Sequence, residues 1–221
     1  MTVDTSIDGP QRRQQAELLR RGIEQMGLAI SELSQRKMLD YLGLLEKWNK
    51  AYNLTAVRDP LQMVSRHLLD SLTVVPYIRG QRLLDVGTGP GLPGIPLAIL
   101  FPEVQFVLLD SSGKKTRFMM QAIATLEIAN AEVHNGRVEL YHPEALFDQI
   151  VSRAFAEIAL MVELTAHLLR PGGEWLAMKG QFPQAELAAV TDLCGPPLVS
   201  EVAVPGEDVT RHIVQLKPKM D

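Results

Sequence analysis

The chain has 221 residues, 46% of them hydrophobic, and 22 Lys and Arg stand against 26 Asp and Glu for a formal net charge of −4. That composition excludes a disordered chain, and the length accommodates one domain with an appendage or two small domains. The one cysteine, Cys194, can form no internal bridge and no cysteine metal cluster; no run reaches the roughly 18 apolar residues of a membrane span, and the polar amino terminus lacks a signal core, so a cytoplasmic protein with no metal and no membrane partner is expected.

Residues 1–15 are rich in Thr, Asp, Ser, Gly and Gln without an apolar period, which predicts a flexible arm. From 16 to 80 apolar residues recur at helical spacing, as at Met38, Leu42 and Leu45, and three helices fit, over about 13–27, 34–51 and 60–78. Ser34 would cap the second, and Asp59 with Pro60 would open the third. This stretch reads as an amino-terminal helical appendage, and 81–221 as the main domain. In that domain short Val, Leu and Ile runs at 82–86, 105–109, 132–135, 149–152, 174–178, 199–204 and 211–216 alternate with helical patterns at about 94–100, 114–129, 156–169 and 183–193. Strands alternating with helices predict a mostly parallel, seven-stranded α/β sheet with helices on both faces. Only Pro205, Gly206 and a few residues more join the last two runs, too little for a crossover, so the last strand should run antiparallel.

Asp85-Val86-Gly87-Thr88-Gly89-Pro90-Gly91 follows the first strand and precedes a helix near Gly94. In a doubly wound sheet ligands bind beyond the carboxyl ends of the strands, where glycines let a ligand approach the backbone. The second strand ends on Asp110, whose carboxylate suits both hydroxyls of an adenosine ribose, or else the cap of the helix that follows. Gly89, Gly91 and Gly94 also satisfy the dinucleotide spacing, which keeps an NAD(P)-dependent oxidoreductase as the alternative. However, the strand-end glycine is Gly87, whose own triplet runs on to Leu92, and the reversed terminal strand also favours S-adenosylmethionine.

Asp85 to Pro96, Trp48-Asn49-Lys50-Ala51-Tyr52-Asn53-Leu54-Thr55, Arg66-His67-Leu68-Leu69-Asp70-Ser71, Leu109-Asp110-Ser111, Ser152-Arg153-Ala154-Phe155, Met178-Lys179-Gly180 and Arg211-His212 occur in that order. Together they resemble the bacterial 16S ribosomal RNA guanine-N7 methyltransferase G family, also called glucose-inhibited division protein B, over about residues 30–217. The resemblance implies a Rossmann-like class I methyltransferase that uses S-adenosyl-L-methionine. It implies Gly87, Gly89 and Leu92 at the donor loop, Asp110 and Ser111 near the ribose, and Val138 and Glu139 beside the adenine. Arg153 falls near the methionine end and is the one residue expected to act in catalysis. The partner implied is 16S rRNA, at a decoding-region loop, within the small ribosomal subunit or an assembly intermediate, and the enzyme is expected to be a monomer.

The residues agree with N7 chemistry. The turn after the fourth strand reads Ser152-Arg153-Ala154-Phe155, which disfavours the Asn/Asp-Pro-Pro-aromatic arrangement of amine methylation, and Cys194 lies far from the strand ends and reads as a small buried hydrophobe. A mildly acidic chain must hold RNA through local basic patches. Lys114, Lys115 and Arg117 open a helix against its dipole, and Lys179, Arg211, His212, Lys217 and Lys219 come from the later strands and their exits; these form the expected RNA face. Trp48 and Tyr52 read as a packed stripe before a base-stacking pair, and His67 as a structural histidine.

Overall fold

The computed structural model describes residues 9–219. Helix α1 (Pro10–Gln25) begins inside the stretch expected to be a polar arm, with Pro10 at its first position, where a missing N–H costs nothing. Its buried Gln15, Leu19, Gly22 and Ile23 lie at helical spacing. The rest of that arm, residues 1–8, lies outside the described residues. Helix α2 (Glu32–Tyr52) is capped by Ser31, whose hydroxyl accepts from the Ser34 N–H at 3.1 Å, so Ser34 is a helical residue and not the cap. Asp59 caps α3 (Pro60–Met63) as expected, but one continuous helix to residue 78 does not form. The chain passes through a π-helical turn at Val64–Leu69 and a short α4 (Asp70–Leu72). The Ser71 hydroxyl donates to the His67 carbonyl and the Thr73 hydroxyl to that of Asp70, and such local bonds compete with the regular helical ladder.

Seven strands follow: β1 (Arg82–Val86), β2 (Gln105–Asp110), β3 (Ala131–Asn135), β4 (Phe147–Arg153), β5 (Leu169–Lys179), β6 (Leu198–Ala203) and β7 (Thr210–Leu216). They form one sheet in the order β3-β2-β1-β4-β5-β7-β6. Neighbours from β3 to β5 pair parallel, and β7 pairs antiparallel with both β5 and β6, so the expected reversed strand is β7. The connecting helices are α5 (Gly94–Leu100), α6 (Gly113–Leu126), α7 (Ile158–Thr165) and α8 (Gln184–Ala188). The order steps outward in both directions from β1, with β2 on one side and β4 on the other. A crevice therefore opens at their carboxyl ends, where the crossovers diverge.

Side chains alternate across the strands. Leu83, Phe106 and Leu108 face one buried cluster with α5 and α6, and Leu84, Val107 and Leu109 face another with α7. The first cluster also takes in Leu19, Met38, Leu42, Leu45, Leu68 and Leu72, so the amino-terminal helices pack on the same face as α5 and α6. Tyr41 of α2 is fully buried and donates its hydroxyl to the Pro90 carbonyl at 3.0 Å, which fixes α2 against the glycine loop.

Candidate functional site

At the carboxyl ends of β1, β2 and β4 lies a hollow of about 360 Å³ lined by Gly87, Asp110, Ser111, Lys115, Gly136, Arg137, Val138, Glu139 and the segment 154–156. Each wall has a local cause. Gly87 sits at φ +64°, and a Cβ there would lie 2.3 Å from the Phe155 ring, so the turn must be glycine for both backbone and packing reasons. Gly89 is also left-handed, at φ +65°, but its absent Cβ would meet nothing within 4 Å. Gly94 is a packing residue, since a Cβ would strike Leu108 and Asp85.

Asp110 ends β2 and is nearly buried. One carboxylate oxygen accepts from Gly89 N–H at 2.9 Å, with Lys115 Nζ 3.4 Å away; the other accepts from Ser112 N–H at 2.8 Å. The carboxylate is thereby held rigid, and carboxylate oxygens have capacity for further donors. Because Ser112 is the residue before α6, the same carboxylate fastens the start of that helix. Val138 is buried under the far wall in a 3₁₀ turn (Val138–Leu140), and Glu139 is exposed beside it. Leu92 lies beneath the loop, its N–H donating to the Thr88 carbonyl at 2.9 Å.

Asp85 stands in the sequence only as part of the loop. It is fully buried, and burial pushes its carboxyl up to about 7 despite hydrogen bonds from the Thr88 hydroxyl and Gly94 N–H and the charge of Arg153. Those two donors share one oxygen, and Oδ1 has no partner among the described residues. A buried carboxyl oxygen without a partner beside the glycine loop is unusual and marks Asp85 as a candidate functional residue.

Arg153, at the end of β4, turns toward the helical segment. Its Nη1 donates to the Arg66 carbonyl at 3.1 Å and to Asp70 Oδ2 at 2.8 Å. The next residue, Ala154, is left-handed at φ +53°, a costly conformation for alanine that swings the chain so Phe155 covers Gly87. Arg211, the second residue of β7, gives its Nε to the other oxygen of Asp70 at 2.8 Å. Asp70 and Phe155 stand in the sequence only inside motifs of the family resemblance and Arg137 in none of them; no spacing marks any of the three, because each is brought in by tertiary packing.

The expected RNA face divides. Lys114 and Arg117 are exposed at the start of α6, with Lys114 Nζ donating to the Tyr52 carbonyl at 2.9 Å. Lys115 lines the hollow beside Asp110 and faces inward. Lys179 is tied to Glu186 at 2.6 Å and to the Ala156 carbonyl at 3.0 Å, a brace between the loops after β4 and β5. His212 is buried, with the Phe182 ring edge-on at 5.6 Å. Lys217 and Lys219 are at the opposite edge beside Cys194, because β7 runs antiparallel and carries only its first residues to the carboxyl edge. Trp48 packs against Phe118 and Tyr52, as a stripe would. His67 is buried, with Nε2 3.0 Å from the Thr55 hydroxyl, and burial holds its pKa down at about 4.

The family model described as rRNA small subunit methyltransferase G (GidB) matches residues 34–214. Ribosomal RNA small subunit methyltransferase G of Hydrogenovibrio crunogenus is 54% identical over 194 residues, covering 88% of this chain and 90% of its own. The protein of the same name from Methylobacillus flagellatus is 54% identical over 198 residues, 90% of this chain and 96% of its own. Among solved structures, a SAM-dependent methyltransferase from Aquifex aeolicus superposes with a TM-score of 0.55 at 17% identity, over 74% of this chain and 96% of that one. A predicted O-methyltransferase from Agrobacterium tumefaciens gives 0.54 at 22% identity, over 67% and 78%. Those two likenesses bear on the fold alone.

Proposed function

The chain belongs to the rRNA small subunit methyltransferase G family, and from that membership and the geometry of the hollow we infer that it transfers the methyl group of S-adenosylmethionine to N7 of a guanosine in 16S ribosomal RNA. The observation that carries the site assignment is the fixed carboxylate of Asp110 at the end of β2, facing the same hollow as the glycine turn after β1.

The residues present fit this donor. Asp110 and Ser111 would hold the ribose, Val138 and Glu139 the adenine, and Gly87, Gly89 and Leu92 the loop side. The space over Gly89 is open, so a ligand can approach its backbone, and Asp85 Oδ1 is a buried polar atom still without a partner among the described residues beside the same turn. Arg153 would stand between the donor and the RNA. When bound, S-adenosylmethionine supplies an electrophilic methyl group on a sulfonium. Guanine N7 carries an in-plane lone pair and no proton, so the chain need only orient the base and exclude water, and alignment alone can lower a barrier by roughly 7–11 kcal/mol. No general base is required, consistent with His67 being held neutral by burial and engaged with Thr55.

The RNA would be met within the small ribosomal subunit or an assembly intermediate, by a monomer acting in the cytoplasm; no helix among the described residues is long and apolar enough to cross a membrane. The oxidoreductase alternative falls with the family assignment. The test is radiolabel transfer from S-adenosylmethionine to undermethylated small subunits, followed by nucleoside mass mapping. N7-methylguanosine at one site supports the reading, and no transfer, or a methyl group on another atom, overturns it.

A further inference from the structure

Three residues distant in sequence meet at the carboxyl edge of the sheet, beside the hollow. Asp70 opens α4, Arg153 closes β4, and Arg211 is the second residue of β7. Each oxygen of the Asp70 carboxylate takes one guanidinium at 2.8 Å, and the carboxylate is 95% shielded, with 5% side-chain exposure. The arginines are not sealed in with it, at 19% and 28% exposure. Arg153 uses Nη1 and Arg211 uses Nε for these bonds, and their other guanidinium nitrogens have no hydrogen bond or ion pair within the protein among the described residues. One carboxylate against two guanidiniums leaves one net positive charge directed outward.

An ion pair that served only to join α4 to the sheet would need one arginine. The second, and its position at the edge where the ligand-bearing loops converge, require another account. Guanidinium forks recognise phosphate oxygens in fixed, often bidentate geometry, and they do so best when their planes are held before the ligand arrives. The π-helical turn contributes to that hold, because its Arg66 carbonyl accepts from the same Arg153 Nη1 that reaches Asp70.

We propose that Asp70 is a positioning residue for the methyl transfer: it holds Arg153 and Arg211 as a paired clamp for the backbone phosphate next to the target guanosine. The inference rests on the RNA methyltransferase reading above and adds to it the ligand chemistry of the two arginines and the residue that aims them.

Asp70→Asn separates positioning from charge, because the two predict opposite signs. Removing a negative charge makes the surface more positive, and electrostatics alone would tighten RNA binding. Loss of aim predicts the reverse: a KM for undermethylated small subunits raised about tenfold or more, with S-adenosylhomocysteine binding by calorimetry retained as the measure of folding. In an Arg211→Ala background the same Asp70→Asn change should raise the RNA KM little further, since a positioning residue acts through its partner. An RNA KM that is unchanged or lower in Asp70→Asn, or losses that simply multiply in the double variant, would overturn the proposal. Should Asp70→Asn fail to bind S-adenosylhomocysteine, Arg211→Lys decides instead: it keeps the charge and removes the fork, so a wild-type RNA KM there counts against the clamp. If the unaltered protein binds S-adenosylhomocysteine but methylates no small-subunit RNA, the functional reading fails, which is a different result.

Discussion

At single residues, the two glycines that begin the loop have different jobs, although the sequence presents them alike. Gly87→Val places a Cβ against the Phe155 ring at a left-handed φ, so it should cost stability, on the order of 1–3 kcal/mol, and lower the melting temperature along with any binding. Gly89→Ala projects into open space and carries only the strain of its left-handed φ, about 1–2 kcal/mol, so its melting temperature should fall less than that of Gly87→Val while calorimetry with S-adenosylhomocysteine shows a loss of affinity beyond that strain. Equal effects at the two positions would contradict this division. Asp85 makes a pH prediction. Burial raises its carboxyl from 3.8 to about 7, so the folded chain keeps a proton that the unfolded chain releases. Its contribution is full below about 4 and is lost as pH rises to about 7. His67, pushed down from 6.5 to about 4, works oppositely over much of that range. The comparison should therefore be made by difference: the melting temperature of Asp85→Asn minus that of the unaltered protein should grow by several degrees from pH 4 to 7 and then level off. A constant difference would mean that Asp85 does not titrate there.

Whole elements were legible wherever burial imposed a period. Arg82–Val86 and Gly94–Leu100 fall where the alternation and the glycine-proline punctuation place them, and the reversed β7 follows from the brevity of the connection at Pro205-Gly206. Legibility ended where side chains compete with the backbone ladder. Ser71 and Thr73 bond back to preceding carbonyls, and the expected third helix becomes a π turn and two short pieces. That irregular stretch carries Asp70, so the part of the sequence least readable as structure is also the part that reaches Arg153 and Arg211. The turn after β4 follows the same logic, because nothing in Ser152-Arg153-Ala154-Phe155 announces a left-handed alanine. Glycine at 154 would relieve about 1–2 kcal/mol of backbone strain and give back up to about 1 kcal/mol in chain entropy. Ala154→Gly should thus leave the melting temperature level or slightly higher, while kcat/KM for RNA falls several-fold as Arg153 and Phe155 lose their fixed exit from the strand. A fall in both quantities would show that the turn stabilises the fold and does not aim the site.

Across the whole molecule, a protein of net charge −4 must reach a polyanion through a small part of its surface. The structure narrows the basic residues that can do so. Lys115 and Lys179 are turned inward to Asp110 and Glu186, and Lys217 and Lys219 sit at the far edge of the sheet. Lys114 and Arg117 remain outward at the start of α6, whose first turn has no acidic residue to offset them. A local patch is therefore expected to meet phosphate, and the salt dependence of RNA binding should have a slope of a few units, with Lys114 and Arg117 supplying about one unit each. Replacing both by glutamate should raise the RNA KM and flatten the slope of log affinity against log salt by about two units, with S-adenosylhomocysteine affinity unchanged. Lys115→Glu should behave differently: it sets a second carboxylate against Asp110 in the hollow, so it should weaken S-adenosylhomocysteine binding directly. If the Lys114 and Arg117 pair left the salt slope unaltered, RNA would have to approach over another face, and the clamp at Arg153 and Arg211 would be its first point of contact.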